Sequence, residues 1–145
     1  MLSLAGLEVA MPHITENEFK KRFTSLILGA RDFPKKQKDR HILLKSSTLG
    51  LTPGETYTES QINDNLYEWT SVYGGNFGLD HVTMRRYLID DGYIQRDPAG
   101  GSYQLGASEL EFTYDDSITG LDLEEIIQQA KLERERKKQQ YMKKG

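Results

Sequence analysis

The sequence predicts a mainly α-helical protein with one small β-hairpin. Three observations carry that expectation. Apolar side chains recur at helical spacing in several stretches, capping residues stand ahead of most of them, and a Pro/Gly turn separates two short strand-like segments.

Taken in order, Met1 to Met11 is mildly apolar, lacks a basic region and carries Glu8, so residues 1–14 read as a loosely held leader rather than a signal peptide. Thr15 is placed to cap a helix, with Glu18 returning a bond and Ile14 and Phe19 forming a hydrophobic staple. Phe19, Phe23, Leu26, Ile27 and Ala30 then make one stripe, weakened at its end by Gly29, so residues 15–33 predict a helix packing on the domain after it. Phe33-Pro34 breaks the chain. Lys35 to Leu49 reads as the next helix, carrying Ile42, Leu43 and Leu44 and stopping at Gly50. After Thr52-Pro53-Gly54, Glu55 to Tyr57 suffices for a very short strand. Thr58 and Gln61 form a capping box ahead of a helix with Ile62, Leu66 and Trp69 on one face. A glycine loop comes next, and Asp80 caps a helix from His81 to Asp91 that Gly92 stops, with Tyr93 folding back onto Leu88. Tyr93 to Arg96 and Ser102 to Leu105 flank the turn Asp97-Pro98-Ala99-Gly100-Gly101. Residues 107–145 read as an acidic connector and a charged helix whose apolar face, Leu123, Ile126, Ile127 and Ala130, lasts about two turns.

From Lys35 the order is helix, short strand, helix, helix, strand, turn, strand. That is a winged helix over residues 34–106, a three-helix core with a hairpin wing, preceded by an extra helix and followed by a long one. Leu44, Ile62, Leu66, Met84, Leu88, Ile94 and Leu105 are the expected core, with Trp69 beside them. Four segments carry a resemblance. They are P-K-K-Q-K-D-R at Pro34 to Arg40, Y-T-E-S-Q-I-N at Tyr57 to Asn63, D-H-V-T-M-R-R-Y-L-I-D-D-G at Asp80 to Gly92, and Y-I-Q-R-D-P-A-G-G-S-Y at Tyr93 to Tyr103. The stretch from Pro34 to Leu105 resembles a family of small bacterial winged-helix-like domains of unknown function, which also occur fused to ArsR-type transcriptional regulators. The resemblance implies that fold, a bacterial cytoplasmic setting and a regulatory role. It brings no catalytic residues, and the ArsR-type domain does not precede this segment.

Composition narrows the function. The 145 residues hold 19 Lys plus Arg against 22 Asp plus Glu and no cysteine, which excludes disulfides and cysteine nucleophiles and argues against coating nucleic acid by bulk charge. No apolar run approaches the roughly 18 residues that cross a bilayer. The leading expectation is a non-enzymatic, DNA-binding transcriptional regulator. In that reading His81, Thr83, Arg85 and Arg86 face base edges from the third helix, while Arg96 on the wing and Lys35, Lys36, Lys38 and Arg40 meet double-stranded DNA nearby. Arginine suits the role because its planar fork takes two acceptors of guanine or a phosphate. The plainer reading pairs Arg85 and Arg86 with Asp90, Asp91 or Glu68 and makes the lysine run a solvated face. Against DNA stand eight bases and nine acids between Lys35 and Leu105, and the long Ser71 to Leu79 loop. Both favour the alternative, a protein-interaction module on the same fold.

Other motifs predict less. Gly74 to Gly78 lacks the Lys-Ser/Thr sequel of a phosphate loop. His13, His41 and His81 are scattered without metal-ligand spacing, so neither a metal nor another cofactor is expected. Asp90-Asp91 and Asp115-Asp116 are read as a helix end and a solvated loop. Gly106 to Ile127 holds seven acids and no bases, and Lys131 to Lys144 seven bases and two acids. The basic end is therefore a candidate nucleic-acid or partner contact, and the apolar start of the helix is expected to pack on the domain or form a homodimer seam.

Overall fold

The computed structural model describes residues 12–99, 101–106 and 110–144. Four of the five helices start on a side-chain cap, at Thr15, Thr58, Asp80 and Asp122. Helix α1 (Glu16–Gly29) starts at Thr15, whose hydroxyl accepts from the Glu18 amide at 3.2 Å. The Glu18 carboxylate does not return a bond to this cap; it takes Lys38 at 2.8 Å instead. Helix α2 (Gln37–Ser47) begins two residues later than the sequence predicts, after Lys36, which offers no side-chain cap. Helix α3 (Glu59–Val72) carries the full capping box, Thr58 and Gln61 each bonding the other's backbone amide. Helix α4 (His81–Asp90) is capped by Asp80, which accepts from the Thr83 amide at 2.7 Å. It ends on Gly92, whose φ of 84° is open to glycine at little cost. The Gly92 amide reaches Ile89 O and the Tyr93 amide reaches Leu88 O, the two bonds of a Schellman ending.

Strands β1 (His13–Ile14), β2 (Ile94–Arg96), β3 (Tyr103–Leu105) and β4 (Thr113–Tyr114) are short. β2 and β3 form the antiparallel wing, with Ile94 opposite Leu105 and Arg96 opposite Tyr103. Gly100 of the turn between them lies outside the described residues. The expected third strand shrinks to one residue. Tyr57 alone bridges Tyr103, through two backbone bonds of 2.7 and 2.8 Å. Helices α2, α3 and α4 pack on one another with the hairpin following α4, so the molecule is mainly helical with a small antiparallel hairpin in a winged-helix-like arrangement. Ile62, Leu66, Met84, Leu88 and Ile94 are fully buried, Leu105 partly, and Trp69 donates from Nε1 to Ser46 Oγ at 3.0 Å inside the core.

Outside the winged unit the chain is more engaged than its composition suggests. Residues 1–11 lie outside the described set, but His13 and Ile14 are not leader: they pair in parallel with Thr113 and Tyr114 of β4. Nor is Asp115 a solvated loop residue. Its carboxylate takes His13 Nε2 and the Glu16 amide, each at 2.7 Å, and so fastens the connector to the start of α1. These bonds hold its carboxyl below the usual carboxylate range, the His13 bond most of all. Phe112 and Ile118 are buried, so the segment read as an acidic connector contributes to the core. Helix α5 (Leu123–Lys144) then packs Ile127 against the body, with α1 alongside.

Candidate interaction face

A winged helix presents its side chains on the exposed side of the helix before the wing and on the adjoining hairpin, here α4 with β2 and β3. Met84 and Leu88 turn α4 inward. Val82, Arg86 and Ile89 succeed one another at spacings of four and three, so they share the opposite stripe, and Val82 and Ile89 are exposed. Val82 retains 43% and Ile89 37% of their accessible surface. A cleft between the end of α4 and the wing is lined by Ile89, Ile94, Gln95, Arg96, Pro98 and Gln104, among others.

The nine cationic or polar candidates fall into two groups. Lys38 is tied to Glu18. Arg40 donates from Nε and Nη2 to Asp91 Oδ2 at 3.1 and 2.9 Å, and its guanidinium lies 4.3 Å from the centre of the Tyr87 ring and 5.6 Å from that of Phe33. It clamps the loop before α2 to the end of α4, a structural task for a flat cation. Arg85 bonds Asn63 Oδ1 and stands 4.0 Å from Glu59, so its partners lie on α3 and are not the acids the sequence offered. His81 sets its ring edge-on to Tyr67, and Thr83 takes part in the Asp80 cap. Among the described residues, Lys35, Lys36, Arg86 and Arg96 meet no carboxylate within ion-pair distance. Among the described residues, two arginines near α4 and the wing thus have no carboxylate partner, Arg96 lying 6.0 Å from the centre of the Tyr103 ring, and two such lysines stand ahead of α2.

Charge on this face is close to balanced. From Asp80 to Asp97 the chain has three arginines and four aspartates. Asp91 is spent on Arg40, but Asp90 and Asp97 remain exposed beside Arg86 and Arg96.

Three polar constellations connect residues far apart in sequence. Arg22 grips Asp39 with two bonds of 3.0 Å. The signal for that pair was present, since Asp39 shares the buried side of α2 with Ile42, Leu43 and Ser46. His13 with Asp115 carried no local signal. The third is buried: His41 Nδ1 meets the Tyr93 hydroxyl at 2.8 Å, and the hydroxyls of Tyr93 and Tyr114 gather over the His41 carbonyl. His41 Nε2 faces Glu111 Oε2 at 3.3 Å, too poorly aligned for a hydrogen bond. Burial pushes His41 below the ordinary histidine value, with Asp91 and Glu111 offsetting part of the effect. Burial likewise pushes the hydroxyls of Tyr93 and Tyr114 well above the tyrosine range and lowers Lys45, whose ammonium stands 5.3 Å from the centre of the Tyr114 ring. Among the described residues no group of three His, Cys, Asp or Glu side chains could hold a metal ion, and no helix is long and apolar enough to cross a membrane.

Comparison with known proteins adds one finding. The model of a family described as an uncharacterized protein conserved in bacteria, DUF2087, matches residues 31–105. No curated protein and no solved structure matches the chain. The matched span begins just before α2 and closes on β3, which makes it the winged unit together with the Phe33 loop that Arg40 clamps. The chain belongs to this bacterial family.

Proposed function

We propose that this chain is a non-enzymatic module that recognises another protein through the exposed stripe of α4 and the adjoining hairpin. One observation carries the reading. The stripe offers Val82 and Ile89 around Arg86, whereas Lys38, Arg40 and Arg85 are held by partners within the chain. Such a surface suits a protein segment that brings apolar side chains flanked by carboxylates. Apolar area supplies the affinity, and Arg86 and Arg96 supply register. A duplex would meet exposed Asp90 and Asp97 at the same place, and phosphate repels them.

A second reading has its own support. Arg86 and Arg96 are free to meet a base edge or phosphate, as a DNA-binding regulator needs. Both readings imply a cytoplasmic setting. Titration with random duplex DNA at several salt concentrations separates them. Binding that weakens steeply with salt and fails in Arg86→Ala at unchanged melting temperature favours the regulator. Absence of binding at low salt favours the protein contact.

A further inference from the structure

Helix α5 is 22 residues long, about 33 Å at the usual rise. Only its first turns are seated. Ile127 is buried and Leu123, Ile126 and Ala130 are half-buried, while every described side chain from Lys131 to Met142 is exposed. Leu132, Tyr141 and Met142 keep 64, 82 and 69% of their surface. A solvated helical stretch of this length is marginal by itself in water, and its support among the described residues is local, such as Arg136 on Glu133. Beside the seated half runs an open groove of about 730 Å³ between α1 and α5, with Leu121, Ile126 and Ala130 as its apolar lining, Glu125 and Glu133 on the α5 side, and on the α1 side Lys21 and Lys20, the latter paired with Glu16.

Charge along α5 shifts from acidic to mainly basic, with Glu133 and Glu135 set among the bases. Asp122, Glu124 and Glu125 stand at its start, and Lys131, Arg134, Arg136, Lys137 and Lys138 come after them. Ile126, Ala130, Glu133 and Lys137 are spaced four, three and four, so they lie on one stripe that continues from the groove onto the solvated half.

We propose that this stripe is the seam of a homodimer, in which a second copy of this chain lays its α5 antiparallel along the groove. Only the antiparallel sense sets the basic half of each helix against the acidic start of the other. With the two-fold axis near residue 132, Ala130 faces Glu133 of the second copy, Ile126 faces the alkyl stem of its Lys137, and Glu125 faces its Lys138. Tyr141 and Met142 then cover Leu121 at the groove's end. Every contact occurs twice, as the symmetry requires. A nucleic acid could meet the basic half but would leave the groove empty and confront Glu125.

Sedimentation of the full chain at micromolar to submillimolar concentration tests this. The expected mass is twice the 16.6 kDa of one chain. Glu125→Lys sets like charges together at two symmetric places and raises the dissociation constant by about fivefold to tenfold. Adding Lys138→Glu to the same chain restores dimerisation, because the pair is only exchanged in sign. A parallel pair would show no such rescue, since each residue then faces its own copy. A chain that stays monomeric throughout, a dimer indifferent to both substitutions, or a monomer whose basic half instead binds random duplex DNA overturns the proposal.

Discussion

Arg40 shows how a residue that looks like a ligand contact becomes a structural one. Its sequence neighbourhood, Lys35, Lys36 and Lys38, reads as a basic run, and nothing local reveals Asp91, Phe33 or Tyr87 as its partners. Removing it strands Asp91, so Arg40→Ala should lower stability by about 1–3 kcal/mol, measured by urea unfolding. Arg86→Ala should leave stability within about 0.5 kcal/mol of the parent, since this exposed side chain meets no carboxylate among the described residues. His41 makes a pH prediction. The unfolded chain takes up a proton at this residue near the ordinary value of about 6.5, whereas burial makes the folded chain resist until lower pH. Its contribution is therefore complete above about pH 6.5 and is lost as pH falls below that value. The melting temperature should drop between pH 7 and 5, and His41→Asn should flatten that slope even though it lowers stability at pH 7. Gly106 is limited by space rather than by φ. A Cβ there would overlap Gly92 O, a backbone atom that cannot step aside, so Gly106→Ala should cost about 2–4 kcal/mol.

At the scale of elements, end signals proved the most legible part of the sequence. Thr15, Thr58 and Asp80 act locally by accepting from amides one turn on, Gly92 by its positive φ and its own amide's bond to Ile89 O, and all four sit where the sequence places them. Thr58→Ala should weaken α3 by about 1 kcal/mol, visible as a lower melting temperature with the helical circular-dichroism signal retained. The strand at Tyr57 was readable only in outline, because a three-residue segment cannot show how many of its bonds find a partner. β1 and β4 were not legible at all. They are two residues each, parallel, and joined across a separation of a hundred residues by the Thr113 and Asp115 amides bonding Pro12 O and Ile14 O, with the side chains of His13 and Asp115 adding to the pairing. The same limit hid the tyrosine hydroxyls around His41, since α2, the residue before β2, and β4 meet only in three dimensions.

At the scale of the whole molecule, the near-balance of 19 bases and 22 acids conceals a partition. Many charges are consumed within the fold, Arg22 by Asp39, Lys38 by Glu18 and Arg40 by Asp91, and the side chains left free decide what the surface can bind. The candidate site was thus only partly legible: sequence proposed a face on α4 and the wing, but could not show that Lys38, Arg40 and Arg85 are held by partners within the fold. Val82, Arg86 and Ile89 face outward and the charges there are close to balanced, which is why we propose protein rather than a duplex as the partner of that face. Fluorescence anisotropy of labelled random duplex DNA, titrated with the full chain from low salt upward, tests that most directly. The expected result is affinity no better than about millimolar at low salt and no salt slope, against the roughly 10⁻⁴ to 10⁻⁶ M of ordinary non-specific binding. Tighter binding with a slope of several released counterions, lost in Arg86→Ala and Arg96→Ala, would contradict it.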